Sequence, residues 1–180
     1  MKEFFNPKGI FNTRNLVLMA LMIGLSTVLN MLTDIYITPT QKLFSFAYLP
    51  RAVVAIMYGP IAASATAFVA DFTGWVINPR GPYHPGFAIS AIVADISCAA
   101  FLYKQKISFL RVALWRIFVV VFVFLGLNYM WMNMLYGSSA AGFFTGVRLA
   151  RNAVQLPLDI FLVMVVGKYI RQYMKQLGWA

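Results

Sequence analysis

The residues of this chain that could do chemistry are charged, amide and aromatic side chains within or beside long apolar runs. Ionisable groups inside membrane segments are costly, and they are usually functional or paired. Aromatic faces stack on a heterocycle, carboxylates accept hydrogen bonds from its N–H edge, and guanidinium groups bind carboxylates bidentately. The set therefore predicts a site for a flat, aromatic, anionic ligand. Its members are Arg51, Asp71, Trp75, Arg80, Tyr83, His84, Asn128, Tyr129, Trp131, Arg148, Arg151 and Asp159.

Several of these residues also have a structural interpretation. Tryptophan and tyrosine at span ends are ordinary anchors at the membrane interface, and this applies to Trp75. Asp71 and Asp159 could pair with Arg51 or Arg151 only to hold helices together. These alternatives remain open at the level of sequence.

Two further ionisable residues are predicted to have structural roles only. We expect Arg116 to extend toward lipid head groups near the inner leaflet, as long basic side chains do near span ends. Asp95 lies well inside an apolar run, and we expect it to form hydrogen bonds between helices.

Catalytic and metal chemistry are not predicted. His84 is the single histidine and cannot build a metal site alone, and no Ser/His/Asp or Cys/His set is arranged around it. The chain has no G-x-x-x-x-G-K-[ST] loop, so it is not expected to hydrolyse ATP by itself. The lone Cys98 excludes an internal disulfide. We therefore predict no catalytic residue, no metal and no cofactor.

The elements that position the site must be membrane helices. The 180 residues, taken as a single domain 1–180, are 61% hydrophobic and only 11% charged. Soluble domains are about half apolar and about a quarter charged, so lipid must be the solvent for most of this chain. The net charge of +10 comes from Lys and Arg between apolar runs, which argues against a nucleic-acid partner.

The apolar runs predict an all-α membrane protein with six transmembrane helices. The expected spans are Asn15–Leu32, Phe44–Tyr58, Ile61–Ile77, Phe87–Tyr103, Leu110–Tyr136 and Asn152–Ile170. We expect loops at Thr33–Leu43 and Asn78–Phe87, a tight turn at Gly59-Pro60, and a loop or partial helix at 137–151. The small residues of the third span predict close helix packing. The N-terminal segment does not have the pattern of a removable signal peptide.

Charge bias predicts that both termini are cytoplasmic. Six spans place the termini on one side, and the positive-inside rule assigns the side richer in Lys and Arg to the cytoplasm. Most of the 15 basic residues lie on the side of the termini, namely Lys2, Lys8, Arg14, Lys104, Lys106, Arg111, Arg116, Lys168, Arg171 and Lys175. In this N-in, C-in topology the predicted ligand site lies in the outer half of the molecule.

A set of motifs runs through the chain in a fixed order. Leu49-Pro50 precedes a helix ending in Gly59-Pro60, and a small-residue helix then carries Asp71 and Gly74 as D-x-x-G. The loop PRGPYHPGF follows, and later segments read LNYMWMNMLYG and RLARNAVQLPLD. Together these motifs resemble the substrate-binding S components of energy-coupling factor (ECF) vitamin transporters, most closely the folate-specific ones. The later segments are similar to the patterns L-N-x-x-W-x-x-x-L-Y-G and R-x-x-K-N-x-x-x-x-P-x-E of that subfamily.

The resemblance implies an S-component fold and a vitamin-binding subunit of the bacterial cell membrane without enzymatic activity of its own. Such subunits bind the vitamin in an outward-facing pocket, and they join a transmembrane coupling subunit and two ATPase subunits. The whole subunit is thought to topple in the bilayer. Their first helix docks through A-x-x-x-A, which is Ala20-x-x-x-Gly24 here, and glycine should preserve close approach. The chain departs from the family pattern in two places. Pro82 follows the glycine of the P-x-G-x-Y loop, and Arg51 stands after Leu49-Pro50, where the family pattern has an apolar residue.

With folate as the ligand, the resemblance and the side-chain chemistry imply individual roles. The glutamate carboxylates would be held by Arg51, Arg148 and Arg151. The edge of the pterin would be bound by Asp71, Ser90 and Asn128. The rings would stack on Tyr83, Phe87 and Trp131, and His84 lies in the loop beside them.

Other functions fit the sequence less well. An S component for pantothenate or for a pyrimidine precursor of thiamin is the nearest alternative, but a neutral pyrimidine would not need three arginines in the outer half. An intramembrane enzyme should show a nucleophile with a base, or a metal set. A scaffold subunit would not need a charged outer mouth.

Overall fold

The backbone of a lipid-embedded chain must satisfy its own N–H and C=O groups, which favours helices throughout. The computed structural model describes residues 12–32, 35–38, 41–79 and 83–176. Its elements are α1 (Thr13–Leu32), β1 (Ile35–Thr38), β2 (Gln41–Phe44), α2 (Tyr48–Tyr58), α3 (Pro60–Ile77), α4 (Pro85–Leu102), α5 (Phe109–Phe118), a π-helical segment (Val119–Leu127), α6 (Asn128–Tyr136) and α7 (Ser138–Gln176). The predicted all-α membrane architecture is confirmed.

Five helical stretches of the described chain are long and apolar enough to cross a membrane. They are Thr13–Leu32, Pro60–Ile77, Pro85–Leu102, Phe109–Tyr136 and Leu149–Gln176. The predicted second span is different, because α2 has only 11 residues. At 1.5 Å per residue it covers about 16 Å, roughly half of the hydrocarbon thickness. When α5, the π-helical segment and α6 are counted as the one continuous stretch Phe109–Tyr136, the described residues form a bundle of six helices, in which α2 is too short to cross alone.

The α2–α3 connection is the tight turn that the sequence predicts. Gly59 ends α2 with φ of 84°, a conformation that glycine adopts without strain, and Pro60 begins α3. The ring of Tyr103 lies 3.2 Å from the position that a Cβ on Gly59 would occupy. A side chain there would therefore be both strained and crowded.

Two segments predicted as loops contain regular structure. Within the predicted loop Thr33–Leu43, β1 and β2 pair antiparallel, with Tyr36 opposite Lys42. The β-branched residues of β1 favour this extended backbone. The segment after Gly137, predicted as a loop or partial helix, is the first part of α7, which continues for 39 residues through Pro157.

Small residues allow α3 to pack closely against the neighbouring helices α1, α2 and α4. Ala62, Ala63 and Ala67 are fully buried, and α3 packs most extensively against α4. Thr66 is buried as well, and its hydroxyl donates to the carbonyl oxygen of Ala62 at 2.9 Å. Large apolar side chains face outward instead, as Leu21 does with 66% of its surface exposed. The predicted close packing of the third span is confirmed.

Candidate ligand-binding site

A cavity of about 440 Å³ opens between the helices. Its wall includes residues from α1, α2, α3, α4, α5, the π-helical segment, α6 and α7, so the whole bundle contributes to it. This volume lies within the range of pockets that bury small organic ligands. The cavity is thus the natural place to compare with the site that the sequence predicts.

Most of the predicted site residues line this cavity. They are Arg51, Asp71, Tyr83, His84, Phe87, Ser90, Asn128 and Arg151. Trp131 is not among the lining residues but contacts two of them. The side chain of Arg148 and all of Arg80 lie outside the described part of the structure. The structure therefore brings together residues that are up to 100 positions apart in the chain.

Trp131 lies behind the wall at the mouth of the cavity and packs against two residues that line it. Its indole Nε1 donates to Ser90 Oγ at 3.1 Å, and its ring centroid lies 5.5 Å from that of His84. The Nδ1 of His84 accepts a hydrogen bond from the backbone N–H of Gly86 at 3.1 Å and so caps α4. A Cβ on Gly86 would overlap the Trp131 ring. Glycine is needed here because the indole packs directly on the first turn of α4.

Aromatic rings form a second part of the mouth. The ring of Tyr83 lies 5.2 Å from that of Trp75 and 5.9 Å from that of Phe72, the latter edge-to-face. Such contacts are favourable geometries for aromatic pairs. Tyr83 and Trp75 both line the cavity, so a flat ligand would meet a preformed aromatic surface.

Two ion pairs lie at the deep part of the cavity, and the carboxylate of one of them, Asp159, lies beneath the cavity wall. Arg51 Nε lies 3.5 Å from Asp95 Oδ2, and Arg116 forms a closer pair with Asp159. The prediction that Arg116 extends to lipid head groups is wrong, because only 5% of this residue is exposed. Asp159, whose expected partner was Arg51 or Arg151, supplies the counter-charge that keeps Arg116 inside. Asp95, expected to form hydrogen bonds between helices, instead forms an ion pair with Arg51 of α2, and its Oδ2 has no hydrogen-bond partner among the described residues.

Three side chains of α7, those of Arg151, Gln155 and Asp159, form a row of hydrogen bonds between the outer and deep parts of the site. We call this row the ladder. Arg151 Nε donates to Gln155 Oε1 at 3.1 Å, and Gln155 Nε2 donates to Asp159 Oδ1 at 3.2 Å. The same Gln155 amide donates to the carbonyl oxygen of Ser45 at 3.0 Å, just before α2. Residue spacing of four places the three side chains on one face of α7. That spacing was the signal by which the sequence could have revealed Gln155.

Buried polar atoms without a hydrogen-bond partner concentrate in this cavity. Within the described residues these atoms are Tyr48 Oη, Arg51 Nε, Asp95 Oδ2, Arg116 Nε, Asn128 Oδ1 and Arg171 Nε. All of them except Arg171 belong to cavity-lining residues. An unsatisfied buried polar group costs about 1–3 kcal/mol, so such groups favour a ligand that supplies the missing partners. The deep cavity thus offers both donors and acceptors.

The guanidinium group of Arg116 also has aromatic neighbours. Its guanidinium carbon lies 5.0 Å from the ring centroid of Tyr48 and 5.5 Å from that of Trp115. These contacts stabilise the cation within the bundle. Neither aromatic residue was predicted, because nothing in a single sequence shows which helix faces meet.

The predicted docking residues face outward. Ala20 and Gly24 are both exposed on α1, and no described atom outside the surrounding helix backbone and the two chain neighbours lies within 4 Å of the position of a Cβ on Gly24. A surface of this shape permits another helix to approach closely. Among the described residues, no group of three or more His, Cys, Asp or Glu side chains could hold a metal ion.

Comparison with known proteins places this geometry in a family. The family model described as "ECF transporter, substrate-specific component" matches residues 14–167. A protein named folate transporter FolT from Clostridium novyi (strain NT) is 31% identical over 155 residues, which cover 86% of this chain and 88% of that protein. A protein of the same name from Leuconostoc mesenteroides subsp. mesenteroides is 30% identical over 155 residues, which cover 83% of this chain and 82% of that protein.

A solved structure shares the fold. The crystal structure of FolT bound with folic acid superposes with a TM-score of 0.78 and 28% sequence identity. The match covers 88% of this chain and 94% of that chain. The likeness therefore extends over nearly the whole bundle, including the helices that line the cavity.

Proposed function

Because this chain belongs to the family of substrate-specific components of ECF transporters, we propose that it binds folate in the cavity described above. It is a multi-pass membrane protein of the bacterial cell membrane. The observation that carries the proposal is the cavity itself, which combines an aromatic mouth with buried arginine and aspartate side chains. Relatives of the chain are named as folate transporters, and one related structure contains folic acid.

The chemistry of folate fits the distribution of groups in the cavity. Folate has a flat ring system with N–H donors and ring acceptors, and a tail with two carboxylates. The tail carboxylates would bind Arg51 and Arg151, together with Arg148. The pterin edge would bind Asp71, Ser90 and Asn128. The rings would lie against Tyr83 and Phe87, with His84 beside them and Trp131 holding this wall in place.

Transport requires partners that supply energy. We propose that a transmembrane coupling subunit docks on the Ala20–Gly24 face of α1 and that two ATPase subunits drive the cycle. The chain itself is proposed to have no ATPase site, and residues 1–180 to act as one domain with both termini in the cytoplasm. The exposed small-residue face of α1 supports this placement of the docking surface.

Direct binding tests the ligand assignment. The purified protein should bind folate with calorimetric heat and with a change in tryptophan fluorescence, because Trp75 and Trp115 line the cavity. Pantothenate and a thiamin-precursor pyrimidine, titrated in the same way, serve as matched controls. Tighter binding of either control than of folate would overturn the proposal.

A further inference from the structure

A group of basic side chains lies where α4 ends, α5 begins and α7 ends. We call it the basic cluster, and its members are Lys106, Arg111, Lys168, Arg171 and Lys175. The described side-chain carboxylates are those of Asp71, Asp95 and Asp159, and all belong to the cavity or to the ion pair beneath it. Over residues 12–32, 35–38, 41–79 and 83–176, the basic cluster therefore has no side-chain carboxylate to neutralise it.

Two arginines of the basic cluster bind the turn between α4 and α5. Arg171 Nη2 donates to the carbonyl oxygen of Leu102 at 2.9 Å, and Arg111 donates to Gln105 Oε1. The same turn packs on α7, since Ile107 lies 3.5 Å from the position of a Cβ on Gly167. The turn and the end of α7 thus bring two guanidinium groups to one short stretch of surface.

The guanidinium of Arg171 is half-buried, and the protein uses only part of its donors. Arg171 Nε is buried, and no described atom accepts a hydrogen bond from it. Lys168 and Lys175 occupy the same face of α7, three residues before and four residues after Arg171. A guanidinium presents a planar fork of donors that matches a phosphate group. These features fit an anion with several oxygens.

An apolar stripe leads away from the basic cluster along α5 and reaches Val121 in the π-helical segment. Leu110, Leu114, Ile117 and Val121 are exposed, by 65%, 46%, 48% and 48%, and their spacing of three and four residues puts them on one face. The stripe begins directly beside Arg111. Its exposed surface is where lipid chains contact the bundle.

We propose that the basic cluster binds the phosphodiester head group of an anionic phospholipid, with Arg111 and Arg171 as its main ligands. The acyl chains lie along the apolar stripe. The stripe favours a lipid over free phosphate, because free phosphate has no apolar part to cover it. In the predicted topology this site faces the cytoplasmic leaflet, where anionic lipids attract Lys and Arg close to the membrane.

Lipid retention and thermal unfolding test this site. The detergent-solubilised protein is mixed with phosphatidylglycerol, with phosphatidylcholine of the same acyl chains, or with inorganic phosphate. Native mass spectrometry counts bound lipid, and the melting temperature reports stabilisation. We expect retention and a higher melting temperature with phosphatidylglycerol only. Equal effects of the two lipids, or an equal effect of inorganic phosphate, would overturn the proposal.

Variants locate the site. Arg111→Gln and Arg171→Gln should each weaken phosphatidylglycerol retention about fivefold, as expected for one basic residue at an anionic surface. Arg14→Gln, at the start of α1 on the same predicted side, is the matched control and should retain the lipid. Circular dichroism verifies that each variant is folded, and Arg111→Gln suffices if Arg171→Gln does not fold. Equal retention by Arg111→Gln and the control would refute the assignment.

Discussion

The ion pair between Arg116 and Asp159 should dominate the stability of the deep cavity. Asp159→Asn removes the counter-charge of a guanidinium whose side chain is only 6% exposed. Removing one partner of a buried ion pair costs about 3–5 kcal/mol, because the remaining charge is left uncompensated. Asparagine retains an oxygen that can accept from the Gln155 amide, so the loss should come from the charge and not from that hydrogen bond.

A double variant separates the charge effect from a simple loss of contacts. Arg116→Met/Asp159→Leu removes both charges and keeps apolar volume. Replacing a buried ion pair by apolar residues is often neutral or stabilising. We therefore expect the double variant to recover most of the stability that Asp159→Asn loses. Its folate affinity should still fall, because Arg116 lines the cavity.

Unfolding in mixed micelles of dodecyl maltoside and sodium dodecyl sulfate, followed by circular dichroism, measures these differences. Asp95→Asn is the comparison variant, because the Arg51 side chain is 19% exposed and lies 3.5 Å from Asp95. Its loss should be smaller than that of Asp159→Asn, since solvent reaches this pair more readily. If the losses of the Arg116→Met and Asp159→Leu single variants simply add in the double variant, the reasoning is refuted.

Three further predictions test the mouth, the ladder and the docking face. Gly86→Ala should cost about 1–3 kcal/mol in thermal unfolding because its methyl group would overlap the Trp131 ring and lie 2.7 Å from His84 Nδ1, and Trp131→Leu in the same chain should restore part of that stability. Gln155→Leu leaves an oxygen of Asp159 with one donor fewer, so we expect about 1–3 kcal/mol lower stability and weaker folate binding by calorimetry. Gly24→Leu should leave folate affinity unchanged but reduce uptake into proteoliposomes that contain the coupling module. Unaltered melting of Gly86→Ala or Gln155→Leu, or normal uptake by Gly24→Leu, would contradict these expectations.

The sequence points to several of the cavity-lining residues because polar groups are rare in apolar helices. Each ionisable or amide group inside a span needs a partner or a function, so residues such as Arg51, Asp71 and Asn128 can be selected without knowledge of the fold. The motif order then relates them to one family. This reasoning depends on residue type and depth, which a single chain does reveal.

The pairing of these residues depends on helix rotation, which a single chain does not reveal. Arg116 and Asp159 are 43 positions apart, and only the packing of α5 on α7 brings them together. The π-helical segment Val119–Leu127 was also missed, since its run of apolar residues contains no Pro to signal a break in the α-helix. The short length of α2 was missed because Phe44 belongs to β2 and not to a helix.

The shortness of α2 gives the cavity an electrostatic bias that does not come from side chains. The N-terminal end of this short helix is buried in the bundle, since Ala47 is only 6% exposed. Ser45, Ala47 and Tyr48 at this end line the cavity, and the N-cap residue Ala47 has no side-chain oxygen for the helix N–H groups. The positive end of a helix dipole favours an anion by about 0.3–1 kcal/mol at exposed sites. Part of the preference for negative charge therefore lies in the backbone, where no side-chain substitution removes it.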